Sequence, residues 1–557
     1  MAEYVFGANI LENLTTGMYQ DSKVIYREYI QNSCDQIDRA EQLGILRSRD
    51  LTNKYPDLGQ GIVDIWLYPE NRYISIEDNA TGIKADEFQR VLGNIADSDK
   101  VMGKDKGFRG IGRLCGLAYC KQLVFTSRWI GEDVVSIMTC DALKMREMIN
   151  EANTKIQKHT ALDVLNAMVD FGVRPAQESD PAHFFKVELI NINEENEELF
   201  GGRDDDNIEQ LTNYLSFVAP VPYTANFIYR SEIYEHAKKL SERIDEYDIR
   251  INGEQILKKY KTHLKTGNGQ DNIFGVEFYA FYAGDNSLLA WMWFGKTTFK
   301  AAIKEEENSR GLRLRKDNIQ IGEDDALRDM FSRDKRGNNY FIGEIFAIDQ
   351  QLIPNSQRAY FNENPVRLEF ERKLKDYFNN TLYNIFYDGS EINASIRKIN
   401  SYTEKASEFE KKVADGGFLS DEEREREQTE LAKKKAEAKI AQSKLEKKKI
   451  SGRSPLAPQI MSRRSNDVNT VLPESDSKPK LTSSVDKKEE EPLIEPSEAS
   501  PYRGRKKFLA DMMFPGYNKN ERKLLSETLE KIFSIIEETT DKKTSENIIK
   551  RIKEDLK

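Results

Sequence analysis

Glu28 and Asn32 stand four residues apart in Glu28-Tyr29-Ile30-Gln31-Asn32-Ser33-Cys34-Asp35, a stretch that the apolar Ile25, Tyr29 and Cys34 mark as helical. Side chains four apart on a helix are neighbours, so this carboxylate and amide address one small volume. The carboxylate could polarise a water and the amide oxygen could hold a hard cation; a solvated helix face has the same pattern. A second group, Asp78-Asn79-Ala80-Thr81-Gly82-Ile83, puts a carboxylate where a β-rich run ends, with a permissive glycine just beyond. A fixed carboxylate suits the exocyclic amine of adenine, and the glycine lets backbone come close to a base, although an ordinary turn uses the same residues. The third group, Gly107-Phe108-Arg109-Gly110-Ile111-Gly112, leads into the apolar run Arg113-Leu114-Cys115-Gly116-Leu117-Ala118-Tyr119-Cys120. Glycines before a helix start leave bare N–H groups and the positive helix end facing a phosphate. A lone G-x-x-G-x-G says little. The three groups in this order describe an ATP site that is not a P-loop.

The elements that must position these groups are legible nearby. Ile62–Tyr68 and Tyr73–Glu77 are β-rich runs joined by Pro69-Glu70-Asn71-Arg72, a hairpin that ends at Asp78. The residues around Glu28 form an amphipathic helix, and Phe185–Ile192 and Ile208–Phe217 read as a later strand and helix.

On these motifs the chain resembles the GHKL ATPases, the superfamily of gyrase B, Hsp90, histidine kinases and MutL, and within it the Hsp90-, MutL- and MORC-like branch. The resemblance implies a Bergerat-type α/β sandwich and makes Glu28 the general base and Asn32 the Mg²⁺ ligand. Asp35 belongs to the same first motif. It also implies that Asp78 reads the adenine amine, with Gly82 beside it and Asn79 near the ribose or phosphates. Gly107, Phe108, Arg109, Gly110, Ile111 and Gly112 would wrap the triphosphate. Residues 93–106, Lys100 among the nucleotide-binding candidates, fall where the family keeps a mobile lid. The family often carries a Gly-Thr pair in a later strand that supports the adenine-binding Asp; His183-Phe184-Phe185-Lys186-Val187-Glu188-Leu189 has no threonine.

Other chemistry is excluded. Gly295-Lys296-Thr297 resembles the end of a Walker A loop but lacks the glycine that must precede it, and Trp291-Met292-Trp293-Phe294 reads as a buried strand. His159, His183, His236 and His263 show no metal-ligand spacing. Cys34, Cys115, Cys120 and Cys140 form no C-x-x-C pair and read as free thiols in a reducing compartment. The start, Met1-Ala2-Glu3-Tyr4, is unlike a signal peptide, and no apolar run is long enough to span a membrane, so a cytoplasmic protein is expected. The net charge of −10 argues against a general nucleic-acid coat but leaves room for a local basic groove.

The 557 residues are expected to form several domains of an α+β protein. The ATP-binding domain spans about 1–220, ending before the proline break Val218-Ala219-Pro220-Val221-Pro222, and an α/β domain spans about 221–365. By the resemblance the latter is the transducer, which supplies a cation to the γ-phosphate; Arg315 and Lys316 are the candidates, and Arg358 could be structural or catalytic. Helical segments are expected between Phe294 and Gly311. A long helical region covers 366–450, with a break near Asp388-Gly389-Ser390, a stop at Gly416-Gly417, and a weak heptad of Leu431, Ala438 and Leu445 that fits a coiled coil or a solvated helix. Residues 451–500 read as a disordered linker and 501–557 as paired helices that dock on the protein's own body or a partner.

These features together predict an ATPase using ATP and Mg²⁺, a homodimer that closes through its N-terminal domains around a macromolecule. DNA, in a maintenance or antiviral-defence role, stands slightly ahead of a protein client as for an Hsp90-like chaperone. A histidine kinase would place the ATP domain after a phosphoacceptor histidine, but no histidine follows His263. A topoisomerase subunit lacks support in the rest of the chain, where no Asp-x-Asp metal signature appears.

Overall fold

The computed structural model describes residues 5–15, 17, 21–49, 57–95, 106, 110, 112–201, 207–267 and 269–468. All of them lie in one unit of the chain, Met1–Pro473. Lys100 and most of the expected lid, Gly107, Phe108, Arg109 and Ile111, most of the 451–500 linker and the 501–557 tail lie outside the described residues.

The first sheet has eight strands: β1 (Ile62–Tyr68), β2 (Tyr73–Asp78), β3 (Cys120–Arg128), β4 (Val134–Asp141), β5 (Val169–Pro175), β6 (Phe184–Ile192), β7 (Asp248–Ile251) and β8 (Glu254–Gln255). Their order is β5-β4-β3-β6-β2-β1-β7-β8, with every neighbouring pair antiparallel except β1 and β7. Along β1, Val63, Ile65 and Leu67 are buried while Trp66 and Tyr68 are exposed, so one face is covered and the other meets solvent. The cover includes α1 (Asn9–Leu14) and α2 (Val24–Gln42), whose Ile25, Tyr29, Ile30, Cys34 and Ile37 enter the core. Opposite residues of an antiparallel pair share a face. Val63 pairs with Asp78, so the last side chain of β2 points to the side that α2 covers. The sheet reaches past the boundary expected near residue 220, because β7 and β8 add to its β1 edge.

Helices α3 (Ala85–Gly93), α4 (Ala142–Asn153), α5 (Ala161–Met168) and α6 (Asn207–Val218) complete the first domain. A joint follows: α7 (Arg230–Lys239) and its flanks pack Tyr223, Phe227 and Ile233 against Trp291, Trp293 and Phe346. After the small hairpin β9 (His263–Thr266) and β10 (Gly269–Asn272) comes a five-stranded sheet: β11 (Gly275–Tyr282), β12 (Leu288–Lys296), β13 (Gly311–Lys316), β14 (Ile319–Ile321) and β15 (Ile342–Ala347). Its order is β11-β12-β15-β13-β14. Trp291–Phe294 lie fully buried in β12 and Lys296 ends that strand, which is the strand reading and not a P-loop. Asp317 and Asn318 link β13 to β14 with φ of 53° and 59°, the left-handed pair of a type I′ hairpin. The helices expected before Gly311 do not form; the chain there runs as turns and a bridge from Thr266 to Ile303.

The long helical region comprises α8 (Pro365–Tyr377), a π-helical segment (Phe378–Leu382), α9 (Tyr383–Asp415), α10 (Asp421–Ile450) and α11 (Ala457–Arg463). The irregularity falls at 378–382 and not at Gly389, which stays helical. That glycine serves close packing, since a β-carbon there would come within 2.5 Å of Phe299 Cβ. Helix α10 starts at Ser420, whose hydroxyl accepts from Glu423 N, and folds back along α9. The Lys398–Glu437 and Lys448–Glu391 pairs fix its antiparallel direction. Of the heptad residues, Ala438 and Leu445 are buried in the core these helices share with the second sheet. Among the described residues no helix is long and apolar enough to cross a membrane.

Candidate functional site

Glu28, Asn32 and Asp35 follow one another along one side of α2, where a 3.6-residue period places positions i, i+4 and i+7. Glu28 and Asn32 are half-buried and Asp35 is buried. Both ends of the glycine loop rest on this side of the helix. At its start, Lys106 N donates to Asp35 Oδ1 at 2.9 Å. At its end, Gly112 lies so close to Glu28 that a β-carbon would fall 2.1 Å from Oε2. Gly110, between them, has a φ of 69°, a conformation that favours glycine. The run that follows is helical as expected, but as a 3-10 segment, Gly112–Ala118, that leads into β3.

Asp78 is 1 % exposed at the end of β2, and its Oδ1 accepts from Ala80 N at 3.1 Å. Thr81 Oγ1 donates to Gln36 Oε1 on α2 at 3.1 Å, tying the strand tip to the helix that carries Glu28. Gly82 has a φ of 68°, and a β-carbon there would fall 2.0 Å from the Arg128 carbonyl oxygen, so backbone packing requires this glycine. Asn79 accepts from Ile62 N at 2.8 Å and donates to the Gln60 carbonyl at 2.9 Å, an amide that pins the entry to β1. Where the threonine was missing, Phe185 stands opposite Asp78 in the β2–β6 register and stacks on Phe125 at 6.1 Å. The hydroxyl at this end comes from β3: Ser127 Oγ accepts from Ile83 N at 2.8 Å and donates to the Phe184 carbonyl at 3.1 Å.

The expected cations lie elsewhere. Arg315 is fully buried in the second sheet, where it pairs with Glu344 and donates to the carbonyls of Asn318 at 2.9 Å and Phe217 at 2.7 Å. Lys316 Nζ donates to the carbonyls of Ile348 at 3.1 Å and Asp349 at 3.0 Å. Strand alternation and burial give both side chains structural partners away from the glycine loop. The cation that lies at the start of that loop is Arg358. It is 5 % exposed and donates through Nη2 to the Lys106 carbonyl at 2.7 Å, and its Nη1 is buried without a hydrogen-bond partner among the described residues. Burial pushes the guanidinium pKa down and the Glu28 carboxylate pushes it back up. A tight turn delivers it: Arg358 has a φ of 52°, Asn355 N donates to the Tyr360 carbonyl at 2.8 Å, and Pro354 bridges Phe361. Arg27 Nη2 holds the same turn from α2 through the Gln357 carbonyl at 2.8 Å.

Residues 21–169 match the family of histidine kinase-, DNA gyrase B- and HSP90-like ATPases. They form a GHKL ATPase domain of the Hsp90-like branch. A stretch of 89 residues is 33 % identical to the chaperone protein HtpG of Salinispora tropica, covering 16 % of this chain and 13 % of that protein.

The residues gathered here fit a nucleotide with its cation. Glu28 and Asn32 share one helix side, Asp78 offers a buried carboxylate, Gly112 packs against Glu28, and Arg358, from beyond the GHKL domain, brings a buried N–H that lacks an acceptor among the described residues. The other candidates have structural roles. His183 Nδ1 lies 2.6 Å from the Ala80 carbonyl and His159 Nε2 lies 2.7 Å from Glu151. All four cysteines are buried free thiols, and burial pushes Cys120 and Cys140 up to about 12. Sequence reading left Arg358 undecided and placed Lys106 only as the end of the expected lid, although Lys106 directly precedes the glycine loop.

Proposed function

We propose that this chain binds and hydrolyses ATP to drive a conformational cycle that acts on a macromolecule. The observation that carries this reading is the buried Arg358 guanidinium, brought to the Lys106 carbonyl within the field of Glu28. Bound Mg²⁺–ATP supplies the scissile phosphoanhydride and a cation for its oxygens. Asn32 would offer its amide oxygen to that cation, and Asp78 would accept from the adenine amine. Glu28 takes the proton of the attacking water. Arg358 places positive charge where phosphoryl charge develops. Because Arg358 lies beyond the first domain, the site is complete only with the second domain docked, and docking gates turnover.

In this reading two subunits close through their N-terminal domains when ATP binds and reopen on hydrolysis. Helix α10 exposes Lys433, Lys435, Lys439, Lys444 and Lys447, which supports DNA as the client, in a maintenance or antiviral-defence role. The similarity to HtpG favours a second reading, a chaperone with a protein client. ATP turnover of the wild type and of Glu28→Ala, with double-stranded DNA or an unfolded protein added, tests both. Glu28→Ala is expected to bind ATP and to turn over about 10²–10⁴-fold more slowly, with the wild type accelerated by DNA. An unchanged rate in Glu28→Ala would remove Glu28 as the base; acceleration by unfolded protein alone would select the chaperone.

A further inference from the structure

Lys106 is 8 % exposed and held on four sides. Its N–H donates to Asp35 Oδ1 at 2.9 Å and its carbonyl accepts from Arg358 Nη2 at 2.7 Å. Its ammonium lies 2.7 Å from Asp38 Oδ2 on α2 and 3.3 Å from Asp245 Oδ2 in the segment that enters β7, over the ring of Tyr247 at 5.4 Å. Those partners are themselves fixed. Tyr247 donates its hydroxyl to both Asp38 oxygens at 2.8 and 2.9 Å, and Arg49 pairs with Asp38. The Asp245 carbonyl accepts from Asn318 Nδ2 at 2.5 Å. Asn318 sits in the β13–β14 turn, and its Oδ1 accepts from Lys258 Nζ, which pairs with Glu344 at 3.1 Å. One side chain therefore joins the helix of Glu28 to the segment entering β7, which Asn318 ties on to the second sheet, while its own backbone holds Arg358.

We propose that Lys106 is a positioning residue that couples the start of the phosphate loop to the docking of the second domain. It acts through Arg358. The ammonium, anchored to Asp38 and Asp245, fixes the place of the Lys106 peptide, and that peptide's carbonyl orients the guanidinium. Burial pulls the ammonium pKa down, but Tyr247, Asp245 and Asp38 outweigh it, so the anchor stays charged. A one-ångström error in a group that meets charge in the transition state costs on the order of 10²-fold in rate, whereas ground-state nucleotide binding rests on other contacts. Removing the charge acts on turnover before affinity.

This inference rests on the ATPase reading, and its test separates the two. Lys106→Met keeps an apolar stem over Tyr247 and removes the charge; Lys106→Arg keeps the charge; Asp245→Asn removes one anchor from the other side. Lys106→Met is expected to lower kcat about tenfold or more with the ATP Kd changed less than about threefold. Lys106→Arg is expected to recover most of the rate, and Asp245→Asn to lower it without adding fully to Lys106→Met. Hydrogen exchange of the full chain without nucleotide gives the second readout, with faster exchange at residues 354–361 in Lys106→Met and in Asp245→Asn. Wild-type kcat together with wild-type exchange in Lys106→Met overturns the proposal, as does an equal loss of kcat and affinity. Should Lys106→Met not fold, Asp245→Asn and Lys106→Arg decide by the same criteria. A wild-type chain that does not hydrolyse ATP defeats the ATPase reading alone, since exchange at 354–361 still reports the coupling.

Discussion

Gly112 leaves no room for a side chain beside Glu28: a β-carbon would fall 2.1 Å from the Glu28 Oε2 atom. Gly112→Ala therefore moves the carboxylate and leaves its chemistry intact. We expect on the order of 10²-fold lower turnover with folding retained, because misplacing a reacting group by about an ångström has that cost. Steady-state turnover together with a thermal melt checks it. Wild-type turnover in Gly112→Ala would place the reacting carboxylate elsewhere.

Asp78 is buried, so Asp78→Asn presents an amide donor where the proposed adenine contact needs an acceptor. A mismatched buried polar group costs about 1–3 kcal/mol, which is roughly 5- to 150-fold in ATP Kd. Calorimetric titration should show this loss without a matching loss for Glu28→Ala. Tight binding by Asp78→Asn would move the adenine pocket.

Arg315 and Arg358 are both buried but answer to different partners, Glu344 for the first and the Lys106 carbonyl for the second. Arg315→Ala leaves Glu344 buried beside one remaining cation, Lys258, and is expected to destabilise the fold by about 3–5 kcal/mol. Arg358→Ala is expected to melt close to the wild type and to lose about 10²–10³-fold in turnover. Melting curves and rates measured on both variants separate the roles; the opposite assignment of losses would return Arg315 to the catalytic site.

Glu246 supplies a pH dependence. Burial pushes its carboxyl from an ordinary 4.5 up to about 7, while Lys258 and the Tyr234 hydroxyl, 2.8 Å away, pull it back. The folded state thus holds this proton more tightly than the unfolded chain. The contribution to stability is full below about pH 4.5 and is lost as pH rises to about 7, at most about 3 kcal/mol. Glu246→Gln should match the wild type near pH 4.5 and melt higher at pH 8. Parallel melting-temperature profiles for the two proteins would refute this.

The sequence by itself determined where the first domain's candidate groups sit, because they lie in short local patterns. Glu28 and Asn32 share a helix side through a period of 3.6, Asp78 ends a hairpin written in alternating residues, and the glycines of 107–112 announce a loop. The burial of Trp291–Phe294 and the start of α10 at Ser420 were legible for the same reason. Tertiary structure alone decided which cation meets the loop. Arg315 and Lys316 have the right type and a plausible position, yet their places in β13 commit them to Glu344 and to backbone carbonyls. Arg358 reaches Lys106 across 252 positions of sequence, through a left-handed turn that no periodicity encodes. The same holds for β7, which pairs with β1 from beyond the proline break, and for Gly389, which serves contact with Phe299 and not a break. Local patterns fix local structure; partners far apart in the chain are fixed only when packing brings their backbones together.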